Sequence, residues 1–313
     1  MIIRLKPTTK EYIWGGTTLK NEWGKTADTQ KIAECWEFSL YPDSESIVDG
    51  GEFDGMTLIE LKEKRPELFG VKCEKFDRFP MLIKLIDACD NLSVQVHPSD
   101  EYALKNENSL GKTEIWYIAD AKEGAQIYYG LNSDLTKEEF VNAIKNNTIT
   151  DKLNAVKVKK GDFFFVEAGT MHALGAGVVV LEVQENSNVT YRVYDYARRD
   201  KWGNQRELHV EKAIEVTTLK KQEISTELRT YRELNGAKVR NLARTVYFNT
   251  EEVVIDSEYE IYCEDSLVTF TVVDGSGRIG ERSIKKGDTY MISSGTREKI
   301  CADKALTIIK TNL

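Results

Sequence analysis

Short apolar runs rich in β-branched and aromatic residues recur along the chain, each bounded by Gly, Asn, Asp or Ser. They include 92–97 (LSVQVH), 114–119 (EIWYIA), 125–130 (AQIYYG), 162–168 (DFFFVEA), 189–196 (VTYRVYDY), 267–273 (LVTFTVV) and 305–311 (ALTIIKT). Their length and alternation predict strands. Helical signals are fewer. Thr57 and Glu60, and again Thr136 and Glu139, have the spacing of a capping box, and the second pair opens a helix with Phe140, Val141 and Ile144 on its apolar side. A further helix is expected over 208–218. Many strands at short intervals with few helices predict a mainly β sandwich or barrel rather than an alternating βαβ fold.

The pattern echoes itself once. KKGDFFFVEAGT (159–170) aligns with KKGDTYMISSGT (285–296) at a constant offset of 126, with six identities in twelve positions. Either turn–strand–turn units recur by chance, or each half holds a related β unit. The chemistry is not repeated, because the first copy is followed by His172 and the second by Glu298. A boundary is expected near 225–245, which fits the polar stretch 220–236, dividing a domain over 1–235 from a C-terminal β domain over 236–313.

Composition narrows the functional classes. The chain has 313 residues, with 43 Lys+Arg against 51 Asp+Glu and a net charge of −8. That balance argues against a non-specific nucleic-acid binder. Five scattered cysteines form no C-x-x-C pair, so reduced thiols are expected. The longest apolar runs fall far short of the ~20 residues that cross a bilayer, and the start lacks the apolar core of a signal peptide. A cytoplasmic protein without a membrane partner is expected.

Only three histidines occur, His97, His172 and His209. Alternation along a strand puts Ser93, Gln95 and His97 on one face and Leu92, Val94 and Val96 on the other. That polar face either lines a site or faces solvent. Lys112 and Glu114 share a face two residues apart, and His172 follows a tight turn. Two imidazoles, a carboxylate and an amide oxygen make a donor set suited to Zn²⁺, with Mn²⁺, Fe²⁺ or Co²⁺ as competitors. Lys84 interrupts the apolar run FPMLIKLI (79–86), where a buried ammonium needs an anion or a route to solvent. Arg198, Arg199 and Asp200 form a charge run read as solvated, and His209 is read as structural.

These residues carry a resemblance. FPMLIKLIDACDNLSVQVHPSD (79–100), GKTEIWYI (111–118), GDFFFVEAGTMHALG (161–175) and the run 180–213 resemble type I mannose-6-phosphate isomerases of the short bacterial form, as do IWGGTTL (13–19) and IAECWEFS (32–39). The resemblance implies a double-stranded β-helix (cupin, jelly-roll) fold with a second, degenerate cupin-like unit at the C-terminus. It implies one zinc ion held by His97, Glu114 and His172 with Gln95 as the weakest ligand. Arg192 matches the family's catalytic arginine, and Lys84, Ser93 and Lys112 match contacts to the substrate phosphate. The implied activity interconverts D-mannose 6-phosphate and D-fructose 6-phosphate through an enediol.

Two positions depart from the family pattern. Glu167 replaces a proline in the turn before His172, and Asn188 replaces an Asp four residues before Arg192. Guanidinium stays protonated in proteins, so Arg192 is expected to stabilise charge rather than to act as the base. The base is left open between a zinc-bound hydroxide and a carboxylate such as Glu182, itself equally readable as a satisfied sheet residue. Two other classes on this fold are a metal-dependent oxygenase, which wants a more histidine-rich iron centre, and a sugar-phosphate-binding cupin without turnover.

Overall fold

The computed structural model describes residues 1–199, 202–224 and 230–313. In chain order the strands of the first part are β1 (Ile2–Lys6), β2 (Thr8–Lys10), β3 (Glu34–Phe38), β4 (Ile47–Val48), β5 (Met81–Ala88), β6 (Val94–Val96), β7 (Glu114–Ala121), β8 (Gln126–Leu131), β9 (Leu153–Lys157), β10 (Phe163–Val166), β11 (His172–Leu174), β12 (Val178–Glu185) and β13 (Tyr191–Tyr194). Those of the second part are β14 (Arg232–Leu234), β15 (Ala237–Arg244), β16 (Asn249–Ile255), β17 (Glu258–Tyr262), β18 (Val268–Ile279), β19 (Arg282–Lys285), β20 (Thr289–Ile292) and β21 (Arg297–Asn312). Five helices are interspersed among the described residues: α1 (Thr18–Trp23), α2 (Leu58–Lys64), α3 (Asp100–Glu107), α4 (Lys137–Lys145) and α5 (Val210–Val216). None of the helices among the described residues is long and apolar enough to cross a membrane.

Two antiparallel sheets face each other in the first part, in the order β10-β7-β12-β5-β3-β2 and β13-β6-β11-β8-β9. The mainly β, double-stranded β-helix expectation holds. Strand alternation explains how the sheets bury both sides. On β5, Met81, Ile83 and Leu85 pack into one core while Ile86 and Ala88 pack into the space between the sheets. On β7 and β12 the split repeats, with Ile115, Tyr117, Leu181 and Val183 on the first side and Trp116, Ile118, Val178 and Val180 on the second. The inter-sheet layer is therefore apolar at one end. At the other end the same faces carry Lys84, Glu114 and Glu182, all buried.

Both expected capping boxes form: Thr57 accepts from Glu60 N, Thr136 accepts from Glu139 N, and each Glu accepts from its cap's backbone. Helix α4 buries Phe140, Ala143 and Ile144, and Val141 is only half-buried. The sequence signals miss α1 and α3, whose short spans bury two residues and one residue respectively.

The internal echo is also structural. Gly161 and Gly287 sit at φ 90° and 91°, in the left-handed region that favours glycine. Asp162 and Asp288 each accept from the lysine amide three residues earlier, at 2.9 Å in both copies. Each turn then opens a four-residue strand, β10 and β20, at the same offset of 126.

The expected division at 235/236 separates stretches of chain but not sheets. The stretch 220–236 includes 225–229, which lie outside the described residues, and β14 already belongs to the ten-stranded C-terminal sheet. That sheet runs β14-β15-β16-β21-β18-β20-β1-β4, taking its last two strands from the N-terminus. The reason is burial: pairing β1 with β20 places Ile3 and Leu5 in a core shared with Met81, Leu242 and Ile309. A buried ion pair adds to this seam. Lys25 Nζ lies 2.6 Å from Glu37 Oε1 and donates to Gly287 O at 2.5 Å, while Thr289 Oγ1 donates to Glu37 Oε2 at 2.8 Å.

Glu37 is fully buried, so its charge depends on these partners. Removing one member of such a pair costs about 3–5 kcal/mol, because the other charge stays buried and unpaired. Lys25→Ala should lower unfolding stability by roughly that amount in urea titration. A loss below about 1 kcal/mol, the range of exposed pairs, would show that the seam does not depend on Lys25.

Candidate metal centre and its cleft

The strand register brings the sequence-distant site residues together. Residue His172 on β11 pairs with Gln95 on β6, and Arg192 on β13 pairs with Gln95 from the other side. From the facing sheet, β7 contributes Glu114, and β12 and β5 place Glu182 opposite Lys84. His97, Glu114 and His172 offer ligand atoms all within 4.8 Å of one another, and all three residues are buried.

Hydrogen bonding fixes the state of the imidazoles. His97 Nδ1 lies 3.0 Å from Val189 O, and His172 Nδ1 lies 2.8 Å from Thr170 O. A carbonyl only accepts, so each Nδ1 carries the proton and each Nε2 presents a lone pair. The two Nε2 atoms are 3.1 Å apart. Two lone pairs at that distance repel unless a cation lies between them. Two nitrogens bound to one tetrahedral zinc at 2.0–2.1 Å would stand about 3.3 Å apart. Glu114 completes the fit. Its Oε1 is 3.6 Å from His172 Nε2 and has no hydrogen-bond partner, and its Oε2 is 3.7 Å from His97 Nε2. Gln95 Nε2 lies 3.4 Å from His172 Nε2, and exchange of the amide's two ends would turn oxygen to the cluster. The donor set present thus fits a divalent ion.

Charge around the cluster is tightly balanced. Lys112 Nζ stands 2.6 Å from Glu114 Oε2, 3.2 Å from His97 Nε2 and 3.7 Å from Glu182 Oε1. Burial and then Glu182 push the Glu114 carboxyl above its ordinary range, against the pull of Lys112. Burial also acts on Glu182, but Lys112, Lys84 and the Trp116 indole, which donates to its Oε2 at 2.9 Å, hold it below the usual range. Glu182 is therefore an ionised carboxylate in the cleft. Lys84 Nζ lies 3.7 Å from both Glu34 and Glu182 and 4.6 Å from the centre of the Trp36 ring. Its buried ammonium is paired rather than led to solvent. The Trp116 ring meets His172 edge-on at 5.2 Å, walling the cluster.

These groups open into a cleft of about 260 Å³, lined by Lys84, Ser93, Gln95, Lys112, Glu182, Asn188 and Arg192 among others. Arg192 donates from Nη1 to Glu207 O at 2.9 Å, while its buried Nε has no hydrogen-bond partner. His209 makes the structural contact: its Nδ1 accepts from Arg192 N at 3.2 Å, and its own amide donates to Arg192 O at 2.7 Å. The turn before His172 closes without the family's proline, because Thr170 N donates to Glu167 O at 3.0 Å. Of the expected solvated charge run, Arg198 instead pairs with Asp195 at 2.5 Å, and Asp200 lies outside the described residues.

Sequence reasoning missed several cleft residues, among them Tyr12, Trp14, Glu34, Trp116 and Arg206. The alternation of β3 could have flagged Glu34, which shares a face with Trp36 while Cys35 points into the opposite core.

The fold and the cluster define a cupin-like protein with, among the described residues, one His–Glu–His candidate metal site beside a polar cleft. A family model described as phosphomannose isomerase type I, catalytic domain, matches residues 2–124. The chain is 42% identical over 298 residues to the mannose-6-phosphate isomerase ManA of Bacillus subtilis, covering 94% of this chain and 93% of that protein. It is 38% identical over 304 residues to a mannose-6-phosphate isomerase of Streptococcus mutans, covering 96% and 94%. The chain belongs to the type I mannose-6-phosphate isomerase family. A crystal structure of the Bacillus subtilis mannose 6-phosphate isomerase superposes with a TM-score of 0.91 at 37% identity, covering 100% of this chain and 99% of that one.

Protonation should reveal the neutral imidazoles. In the absence of metal, burial first and Lys112 next hold His172 down to about 4, and burial holds His97 well below 6.5. An unfolded imidazole takes up its proton near ~6.5, so between there and about 4 the unfolded chain binds more protons than the folded one. The stability contributed by neutral His172 is complete above ~6.5 and is lost as pH falls towards 4. Urea midpoints of the chelator-treated wild type should fall across that window, and those of His172→Gln should fall less steeply. Equal slopes would contradict the neutral, buried assignment.

Proposed function

We propose that the chain interconverts D-mannose 6-phosphate and D-fructose 6-phosphate with one zinc ion held by His97, Glu114 and His172, Gln95 being the fourth protein donor. The relatives that match over more than nine-tenths of this chain are named for that activity. The observation that carries the metal reading is the pair of imidazole lone pairs 3.1 Å apart beside a partnerless carboxylate oxygen. Zinc is preferred because nitrogen and oxygen donors in a compact buried set suit a borderline ion.

The reaction moves a proton between C2 and C1, and its difficulty is the weak acidity of a C–H beside a carbonyl. The zinc ion, when bound, supplies Lewis acidity toward the oxygens on C1 and C2. Glu182, ionised and facing the cleft, is the carboxylate available to take the proton from one carbon and return it to the other. Arg192 stays cationic even though burial and then Arg206 lower its affinity for the proton. It stabilises the negative charge that develops on the sugar oxygens. His209 holds both backbone groups of Arg192 and so fixes the guanidinium's base. Lys84, Ser93 and Lys112 complete the substrate contacts, Lys112 from its position against the metal cluster. Asn188 lines the cleft as a neutral amide and leaves the proton transfer to Glu182.

We read the C-terminal sheet as a second, degenerate cupin-like unit, on the shared Gly–Asp turn and strand of the two copies. Charged phosphosugars do not cross bilayers freely, which is the ground for a cytoplasmic location.

Metal analysis coupled to an isomerase assay on mannose 6-phosphate tests the reading. One zinc per chain and turnover that disappears with chelation and returns with zinc are expected. Full activity in a metal-free His172→Ala protein would refute the site. Arg192→Ala should lose about 10²–10³ in kcat, as for removal of one charge-stabilising group, with zinc content unchanged. A wild-type kcat in that variant removes Arg192 from the chemistry.

A further inference from the structure

We propose that Tyr247, from the turn joining β15 to β16 of the C-terminal sheet, positions the metal centre by fixing, through Asp100, the strap 111–113 that ties Glu114 to the segment after His97. This rests on the metal reading above and adds to it a residue outside the cluster. Tyr247 acts through other groups, so it is a positioning residue and not a catalytic one.

His97 and Glu114 belong to opposite sheets, so no strand register sets their separation. The strap does so instead. Its three successive amides are all held: Gly111 N donates to Asp100 Oδ1 at 2.7 Å, Lys112 N to Pro98 O at 3.0 Å and Thr113 N to Glu185 Oε1 at 2.7 Å. Pro98 directly follows His97, and Glu114 directly follows Thr113. The packing leaves no slack, since a Cβ on Gly111 would lie 2.4 Å from Asp100 N and 2.5 Å from the carbonyl carbon of Ser99. From the middle of the strap, Lys112 reaches to 2.6 Å from Glu114 Oε2 and 3.2 Å from His97 Nε2. A shift of the strap therefore moves one ligand, and the cation beside it, relative to the other ligand.

The two carboxyls that hold the strap also face each other, and burial and then Asp100 push Glu185 up to about 7. Two carboxylates so placed repel unless a donor or a proton intervenes. Tyr247 is that donor: its hydroxyl bonds to Asp100 Oδ2 and leaves Oδ1 to Gly111 N. Burial, the bond to Asp100 and then Glu185 raise the phenol above its ordinary value, so it keeps its proton. Tyr247 is itself fixed. Its amide donates to Thr245 Oγ1 at 3.0 Å within the turn, and its ring centre lies 6.3 Å from that of Phe76. The hydroxyl thus links the ten-stranded sheet to the strap. Groups that orient a metal's ligands without touching the ion commonly govern about 10–100-fold in affinity.

Zinc binding by the full chain, read by competition with a chromophoric chelator, tests this without turnover. Tyr247→Phe should raise the zinc dissociation constant about tenfold and alter the visible spectrum of the cobalt-loaded protein, which reports ligand geometry. Tyr231→Phe removes a comparable hydroxyl, one that donates to Glu252 at 2.7 Å, and should leave both readings at their wild-type values. Asp100→Ala should weaken zinc at least as much as Tyr247→Phe. Asp100→Asn, whose amide oxygen still accepts from Gly111 N, should restore most of that loss. Equal zinc affinity in Tyr247→Phe and wild type overturns the proposal. So does an equal loss in Tyr231→Phe, which would mark a general loosening of the C-terminal sheet. If Tyr247→Phe fails to fold, the Asp100 pair decides, and an Asn variant as weak as the Ala variant overturns the proposal. A wild type that binds no zinc refutes the metal centre itself, whereas a zinc-binding wild type indifferent to both positions refutes only the role of Tyr247.

Discussion

Two neutral imidazoles pointing their lone pairs at each other across 3.1 Å are the constraint around which the rest of this structure is arranged. Nothing in a protein core tolerates that contact for its own sake. It is enforced by two backbone carbonyls, Val189 O and Thr170 O, that take the Nδ1 protons and so dictate where Nε2 points. Those carbonyls are in turn held by the segment before β13 and the turn before β11. The cupin-like sandwich serves this purpose because His172 lies on β11 and His97 directly follows the adjacent β6, while Glu114 comes from the opposite sheet.

The layer between the sheets then changes character along its length. Its apolar end, with Ile86, Ile118, Val180 and Leu174, supplies stability through burial. Its polar end holds Lys84, Lys112, Glu114 and Glu182 at distances where each charge depends on the others. Buried charges are costly unless matched, so this end is the part of the molecule where substitution disturbs more than one group at once. The seam with the C-terminal sheet uses the same device. Tyr117, beside Trp116 on β7, donates to Glu252 at 2.7 Å, and Arg240 pairs with that carboxylate, tying the back of the catalytic sheet to β15 and β16.

Much of this was legible in the sequence because it obeys short periods. The alternation in LSVQVH put Ser93, Gln95 and His97 on one face, and the cleft lies on that face. The capping boxes at Thr57 and Thr136 and the paired Gly–Asp turns are local hydrogen-bond patterns written in a few residues. Features that depend on distant pairing were not legible. The place of β1 in the C-terminal sheet follows from register between Ile2 and Ile292, which no local signal encodes. Arg206 sits in a charge-rich irregular stretch where periodicity is silent, and its pairing with Asp195 emerges only in the folded chain. His209, read as structural, does hold structure, but of the strand residue that bears the Arg192 guanidinium.

One divalent ion between His97, His172 and Glu114 would satisfy both lone pairs and the carboxylate. Anomalous diffraction at the zinc absorption edge from crystals of the zinc-loaded protein tests it most directly. One peak per chain is expected, about 2.0–2.1 Å from both Nε2 atoms and within bonding distance of a Glu114 carboxylate oxygen. A zinc peak elsewhere, or a loaded protein whose two imidazoles lack a shared ion, would contradict it.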